Sequence, residues 1–431
     1  MMPRMLAHIR PLGNGWFPAI FAALALALPA SAATFADLNS VFGAEVWADE
    51  NLWDDPDTAA AQRLNWPAES STPRDSSFRL YAGPDVRVLG ARPYSLALYG
   101  EAGAVAGLSM VFANKGDFEL VASGDGFSPQ KDKGGPRALR EAKDQLAKQV
   151  AADEKTIEDK LTALLGPPKR TSFGGSKQTR EQVKRWDWNG HAILLAAPDG
   201  EYAAVRVLPV DVADGSRKPR VTDDVLRAEL ATRIERRPNG DVVLKTIPMV
   251  DQGPKGFCVP ATWERALRYM GIPADMYVLA MAGDTGLGGG TSIGAIVAGA
   301  KETVTRAGRR IETVPSNITL PVIKKYIDRG LPILWTMFSM EDVNKSVNQR
   351  MTARASATPE DWKAALAPIR KEAKKIKTDR TRGHVCMIIG YNEKTDEVAV
   401  SDSWGPEYEE RWMTLEEVQG VTQGSSLAIY F

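Results

Sequence analysis

Two cysteines, Cys258 and Cys386, and three histidines, His8, His191 and His384, are all that 431 residues contain of the side chains that build disulfide frameworks and zinc sites. Their spacing matches no zinc finger or ribbon, and four-ligand Cys/His sites are hard to assemble from them. Charge of one sign is also missing. Lys plus Arg and Asp plus Glu both number 54, so no global field recruits nucleic acid or an anionic membrane. Beyond the first 32 residues no run approaches the roughly 18 uninterrupted apolar residues of a transmembrane helix. What remains is an ordinary folded composition, 44% hydrophobic and 25% charged, which excludes a disordered or collagen-like chain. Its length predicts two or three domains.

The first residues carry Arg4 and Arg10, then an apolar run, then Ala30-Ser31-Ala32. A basic start, an apolar stretch and a small-x-small site predict a secretory signal peptide over 1–32, with a retained membrane anchor as the rival reading. Cleavage would remove Arg4, Arg10 and His8 and leave a formal charge of −2. The expected location is therefore secreted or periplasmic, without stable membrane insertion after cleavage.

Residues 33–210 are expected to form a β-rich α+β domain. The strand-like runs are 78–82, 94–99, 105–112, 184–189, 191–197 and 202–208, with a charged helix over 136–165 that stops before Gly166-Pro167-Pro168. Aligning YSLALYGEAGAVAGLSMVF with HAILLAAPDGEYAAVRVLP superposes the apolar positions and the turn glycines Gly103 and Gly200. This suggests a duplicated strand–turn–strand unit offset by 97 residues. His191 stands in it where Tyr94 stands in the other copy, and nothing chemical gathers around it. A polar linker and the helix DDVLRAELATRIERR fill 211–244, ahead of a C-terminal domain over 245–431.

That domain carries the chemistry. In DQGPKGFCVPATWERALRYMG, Cys258 stands where a loop becomes a helix: Trp263, Ala266, Leu267 and Met270 share one face, and Gly271 can end it. Pro260 is tolerated in the first turn, where amide hydrogens have no intrahelical partner. A thiol at that position feels the positive end of the helix, which favours the nucleophilic thiolate. The domain has one histidine to serve as base, His384, at the start of the strand-like HVCMIIGY. A hairpin turning at Glu393–Lys394 brings the returning strand EVAVSDSWG beside it, so that His384 lies opposite Asp402 or its neighbour. Asp402 can then fix the ring's tautomer and orientation.

Gln252-Gly253-x-x-Gly256-x-Cys258, then Gly383-His384-Val385, then Asp402-Ser403-Trp404-Gly405, resembles the papain superfamily in order and local spacing. With aspartate rather than asparagine before Ser-Trp-Gly, the pattern is similar to the Cys-His-Asp branch that includes the bacteriocin-leader (double-glycine) peptidases. The resemblance implies a papain-like α+β domain, its nucleophile helix packed on an antiparallel sheet, and an acyl-transfer enzyme acting on a peptide or protein without a cofactor. It further implies that Gln252 donates to the oxyanion with the Cys258 N–H, that Trp404 shields the His384–Asp402 bond, and that Gly289 and Gly290 hydrogen-bond the substrate backbone. Val259 and Lys255 depart from the pattern, the latter replacing a cysteine of the family.

Two alternatives stay open on the sequence. The domain could be a catalytically silent binding or structural module with a Cys258–Cys386 disulfide, or an acyltransferase or transglutaminase-type enzyme using the same triad. Gly286-Leu287-Gly288-Gly289-Gly290-Thr291-Ser292 lacks the Gly-Lys-Ser/Thr of a phosphate loop and reads instead as a turn with Thr291 or Ser292 capping the next helix. Finally, an insertion over 339–382 carries eleven Lys/Arg against six Asp/Glu. Its bland reading is a solvated helical face; its functional one is a movable lid, or a contact for acidic substrate, leading into His384.

Overall fold

Apolar alternation with Gly-containing turns gives the first half of the chain its strands, as the sequence predicts. The computed structural model describes residues 33–117, 135–216, 222–254 and 256–431; the expected signal peptide, much of the polar linker and Lys255 lie outside them. Two helices, α1 (Phe35–Phe42) and α2 (Asp57–Leu64), precede β1 (Ala68–Ser71), β2 (Asp75–Tyr81), β3 (Ser95–Glu101) and β4 (Ala104–Asn114). A long helix, α3 (Gly135–Leu165), then leads into β5 (Lys169–Phe173), β6 (Glu181–Trp188), β7 (His191–Ala196) and β8 (Tyr202–Pro209). Leu146, Val150, Ile157 and Leu161 recur at helical spacing along α3 and are buried. The short polar β1 and β5 escaped the sequence reading because they are edge strands, where no apolar alternation is needed.

The eight strands form one antiparallel sheet in the order β1-β2-β3-β4-β8-β7-β6-β5, two four-stranded meanders joined at β4 and β8. The suggested 97-residue offset matches the register. Ala97 faces Ser109 in one hairpin and Leu194 faces Arg206 in the other. At the centre Ser109 faces Arg206, its own counterpart, while Leu108–Val207 and Met110–Val205 exchange under the same offset. His191 is a packed core residue: it lies between the rings of Trp53 and Trp188, and its Nε2 accepts the Leu52 N–H at 3.3 Å. Burial lowers its pKa.

After α4 (Val210–Ala213), α5 (Asp223–Thr232) ends five residues earlier than the pattern suggests. The turn Arg237–Gly240 instead makes Ile234–Arg236 a strand, β9, paired with β10 (Asp241–Leu244). Next come α6 (Cys258–Tyr269), α7 (Met276–Ala282), α8 (Ile293–Arg306), β11 (Arg310–Val314), α9 (Leu320–Ile327) and β12 (Ile333–Phe338). Ser292 is the residue before α8, but neither it nor Thr291 caps the helix through its side chain; Thr291 bonds Thr285 at 2.7 Å. The insertion forms α10 (Glu341–Ser356), α11 (Pro359–Ala365) and α12 (Ala367–Ala373). The chain closes with β13 (Gly383–Asn392), β14 (Glu397–Ser401), β15 (Arg411–Thr414), α13 (Leu415–Val421) and β16 (Thr422–Tyr430).

These strands make a second antiparallel sheet around β13, with β12 and β10 succeeding one another along one edge and β14 on the other. The helices and this sheet give the α+β architecture expected, with α6 packed on β13. Among the described residues no helix is long and apolar enough to cross a membrane.

The expected amphipathic character of α6 is overridden, since every residue from Cys258 to Tyr269 is buried. The first sheet supplies the cover. Val111, Tyr202 and Ala204 of β4 and β8 pack with Phe257, Ala261, Met276, Tyr277 and Ala280 around α6 and α7. The polar side of the helix is met by charge: Arg268 Nη2 reaches Asp75 at 2.9 Å, and Glu264 accepts the Met276 N–H at 2.7 Å.

The lid expectation fails for α10. Its Arg350 pairs with the buried Glu417 at 2.5 Å, and Arg354 binds Asp241 at 2.7 Å and Glu397 at 3.1 Å while lying 3.8 Å over the Trp412 ring. Arg370 on α12 bonds Asp396. Much of the basic excess therefore neutralises carboxylates of the second sheet and cannot leave without stranding them. Arg354→Ala is expected to lower stability by about 3–5 kcal/mol, read as a fall in the urea midpoint, because the buried Glu397 loses its cation and Asp241 loses the nearer of its two, keeping only Arg237. A change below about 1 kcal/mol would mean that the pairs are solvated, as exposed ion pairs are.

Candidate active site

Cys258 opens α6, after Phe257 at the N-cap position. Phe257 is locked into the apolar cluster shared with the first sheet, so the turn that presents the thiol is set from both sides. The glycines of the preceding loop are required by space and by dihedral angle. A Cβ on Gly256 would come within 3.2 Å of Gly289 Cα, and one on Gly289, at φ +113°, within 2.5 Å of Gly256 Cα. The Gly290 N–H donates to Gly256 O at 2.9 Å, and its carbonyl accepts from Gly286 at 2.9 Å. Gly289 and Gly290 thus brace the nucleophile loop, and the backbone groups of Gly290 are used within the protein.

His384 stands at the start of β13, beyond the last β13–β14 pair, Met387–Ser401. Asp402 follows β14 directly, and its Oδ1 holds His384 Nε2. Nδ1 is the ring nitrogen left for the hydrogen bond to Cys258. Trp404 lies over the imidazole, centroids 4.8 Å apart and planes 29° apart. Gln252 is anchored beside the same loop by its N–H, which donates to Ser403 O at 2.8 Å. Cys258, His384, Asp402, Trp404 and Gln252 come from three separate stretches of chain.

The electrostatics favour an ion pair. Burial pushes the Cys258 thiol up, but the hydrogen bond and charge of His384, with backbone hydrogen bonds at Val385 and Val259, outweigh it and hold the thiol below its usual 9.0. Burial pulls His384 down, yet the Asp402 carboxylate and Cys258 push it up to about 10. Asp402 is buried, which raises its pKa, but His384 and Arg411 together hold it below the usual carboxylate range. Both cysteines are free thiols, so the expected alternative of a Cys258–Cys386 disulfide is not realised. Cys386 is fully buried, its thiol pushed well up by burial and donating to Met337 Sδ at 3.8 Å.

Three residues of this site escaped the sequence reading. Arg411, on β15, binds the second oxygen of Asp402 through Nη2, bonds Asn348 of α10 at 3.0 Å through Nη1, and stacks near Trp404 and Tyr408. Thr262, one turn into α6, donates to Val385 O at 3.0 Å. Arg265, a further turn along, bonds Pro248 O at 2.9 Å and Ser401 Oγ at 2.5 Å. The last two tie the nucleophile helix to the strands bearing base and orienter and to the stretch before Gln252. Polar side chains at four- and three-residue steps from Cys258 are the one signal the sequence offers for them; Arg411 has none until the β14–β15 hairpin is known.

Removing Arg411 leaves Asp402 with one cation where it had two. Asp402 has a depressed folded pKa, so its contribution to stability is present above 3.8 and is lost as pH falls through the lower folded value. Arg411→Met raises that folded value. The variant is therefore expected to lose about 3–5 kcal/mol at neutral pH, with the deficit narrowing on acidification, in urea midpoints measured across pH. A deficit constant with pH would assign Arg411 to packing alone.

Residues 244–423 fit the family model described as the Peptidase_C39 like family, and the matched stretch holds Gln252, Cys258, His384 and Asp402 together. No curated protein matches the chain. The match supports a papain-like, C39-type cysteine peptidase domain over this stretch.

Proposed function

We propose that the protein is an exported cysteine peptidase or amide hydrolase that works by acyl transfer through Cys258, His384 and Asp402. The observation that carries this reading is the buried contact between Cys258 at a helix start and His384, whose far nitrogen is bonded to Asp402. The directions of the two shifts, thiol down and imidazole up, support a proton carried by the imidazole. Such a pair is the resting state a thiol hydrolase needs.

The proposed steps begin with the thiolate. Cys258 Sγ, as thiolate, attacks the carbonyl carbon of a peptide or amide, and the carbonyl electrons move onto oxygen. The N–H of Cys258 and the Gln252 side chain serve as oxyanion donors. Collapse of the tetrahedral adduct breaks the C–N bond, and His384 Nδ1 gives its proton to the leaving amine. The neutral imidazole then takes a proton from water, which attacks the thioester, releases the acid and restores the ion pair. Asp402 keeps Nε2 protonated throughout and stabilises the charged ring, with Arg411 fixing the carboxylate. The proposed partner is a peptide or protein substrate. Export rests on the pattern of residues 1–32 and is tested by sequencing the N-terminus of the mature protein.

Cys258→Ala is expected to abolish turnover of a peptide library scored by mass spectrometry, with the unfolding transition retained. His384→Ala should cost roughly 10²–10⁴-fold or more. Asp402→Asn should lose less, because asparagine still accepts from the ring but lacks the charge that favours imidazolium. Hydrolysis retained by Cys258→Ala would refute the assignment.

A further inference from the structure

The stretch leading to Gln252 has little of its own to hold it. It follows β10 without regular structure, and Gly253, at φ +72°, is a backbone position that does not define its own conformation. Its backbone groups are satisfied from elsewhere, chiefly from the first sheet. Ser70 Oγ on β1 accepts the Met249 N–H at 3.0 Å. Glu69 Oε1, one residue before, accepts the Asp251 N–H at 2.8 Å. Tyr81, the last residue of β2, donates its hydroxyl to Asp251 O at 2.6 Å. The Tyr81 ring also fills the space over Gly253, where a Cβ would meet it at 2.7 Å.

Glu69 is itself fixed. Its Oε1 also accepts from Arg79 Nε at 2.6 Å, and its Oε2 from Ser77 Oγ at 2.8 Å, so the carboxylate is buried, paired and pre-oriented before it meets Asp251. A carboxylate committed in this way to a backbone N–H makes a charge-assisted bond, stronger than a neutral one and short in reach. On the other side of the same turn the Gln252 N–H is held by Ser403 O, next to Asp402. The turn that carries the candidate oxyanion donor is therefore pinned between the orienter loop and the edge of the N-terminal sheet.

We infer that Glu69 and Tyr81 of the N-terminal sheet are positioning residues for the oxyanion site. The sheet is a working part of the active site and not a detachable pro-segment. The inference rests on the acyl-transfer reading and deepens it. Catalysis depends on where oxyanion donors sit, and displacement by about 1 Å can cost ~10²-fold. Attack of a thiolate on the saturated carbon of iodoacetamide, in contrast, forms Sγ–C and expels iodide without generating an oxyanion. The two reactions use the same Cys258–His384 pair and differ in their need for Gln252.

The test compares wild type with Glu69→Ala, Glu69→Gln and Tyr81→Phe in the full-length protein. Three quantities are read: kcat and KM on a fluorogenic amide of a peptide the wild type cleaves, the rate of Cys258 alkylation by iodoacetamide, and the unfolding midpoint. Tyr81→Phe keeps the ring over Gly253 and loses one bond; its kcat is expected to fall about 10-fold. Its KM and alkylation rate should stay within about twofold of wild type. Glu69→Ala should fall further in kcat, roughly 10²-fold, and Glu69→Gln, which keeps an acceptor for the Asp251 N–H, should recover part of that loss. If Glu69→Ala does not fold, Tyr81→Phe decides alone. Wild-type kcat in Tyr81→Phe, or alkylation falling in step with kcat, would overturn the inference. Failure of the acyl-transfer reading shows separately, as a wild type that alkylates but turns over no peptide.

Discussion

Four groups, the Cys258 thiol, the His384 imidazole, the Asp402 carboxylate and the Arg411 guanidinium, meet in a space from which water is largely excluded, and the proposed mechanism gives them alternating charge. Each is costly to bury alone, and each is tolerable because its neighbour has the opposite sign. That constraint organises the second sheet. β13 has to present His384 at its start, β14 has to release Asp402 at its end, and β15 has to return Arg411 to within reach of Asp402. Thr262 and Arg265 then bind α6 to those same strands, which keeps the thiol in register with the ring.

Keeping water away from such a chain takes more surface than one small domain supplies. The first sheet covers the side of α6 that would otherwise face solvent and packs Phe257 beside the nucleophile. The helices of the insertion adjoin the site too: Asn348 of α10 bonds Arg411, and Arg350 and Arg354 neutralise Glu417, Asp241 and Glu397. Both regions look peripheral by position along the chain. Both are structural walls of the site.

The sequence is most legible where chemistry is local. A cysteine at a loop-to-helix junction, one histidine at a strand start and an aspartate on the returning strand are enough to bring Cys258, His384 and Asp402 together, and the structure places them in contact. Strands with buried alternation, such as β3, β4, β7 and β8, and the long α3 are found within a few residues of where their patterns lie. Their two-fold register also agrees with the 97-residue offset read from two hairpins. What was illegible depends on distant partners. The polar face of α6 reads as solvated, because nothing in its sequence tells that Asp75 will meet Arg268 across the sheet interface. The basic helices read as a lid for the same reason: a run of Lys and Arg on one helix does not reveal that Asp241, Glu397 and Glu417 wait beneath it. Arg411 needed the β14–β15 pairing before its side chain could be placed on Asp402.

The account stands or falls on the ionisation of one thiol. Titration of the thiolate ultraviolet absorbance, taken as the difference between wild type and Cys258→Ala, reads it directly. The charged chain predicts a transition below the ordinary 9.0, absent in Cys258→Ala, with Cys386 silent over the whole range in which the protein stays folded. A Cys258 that titrates at 9.0 or above would contradict it, since the thiol would then be protonated at neutral pH and no thiolate–imidazolium pair would exist.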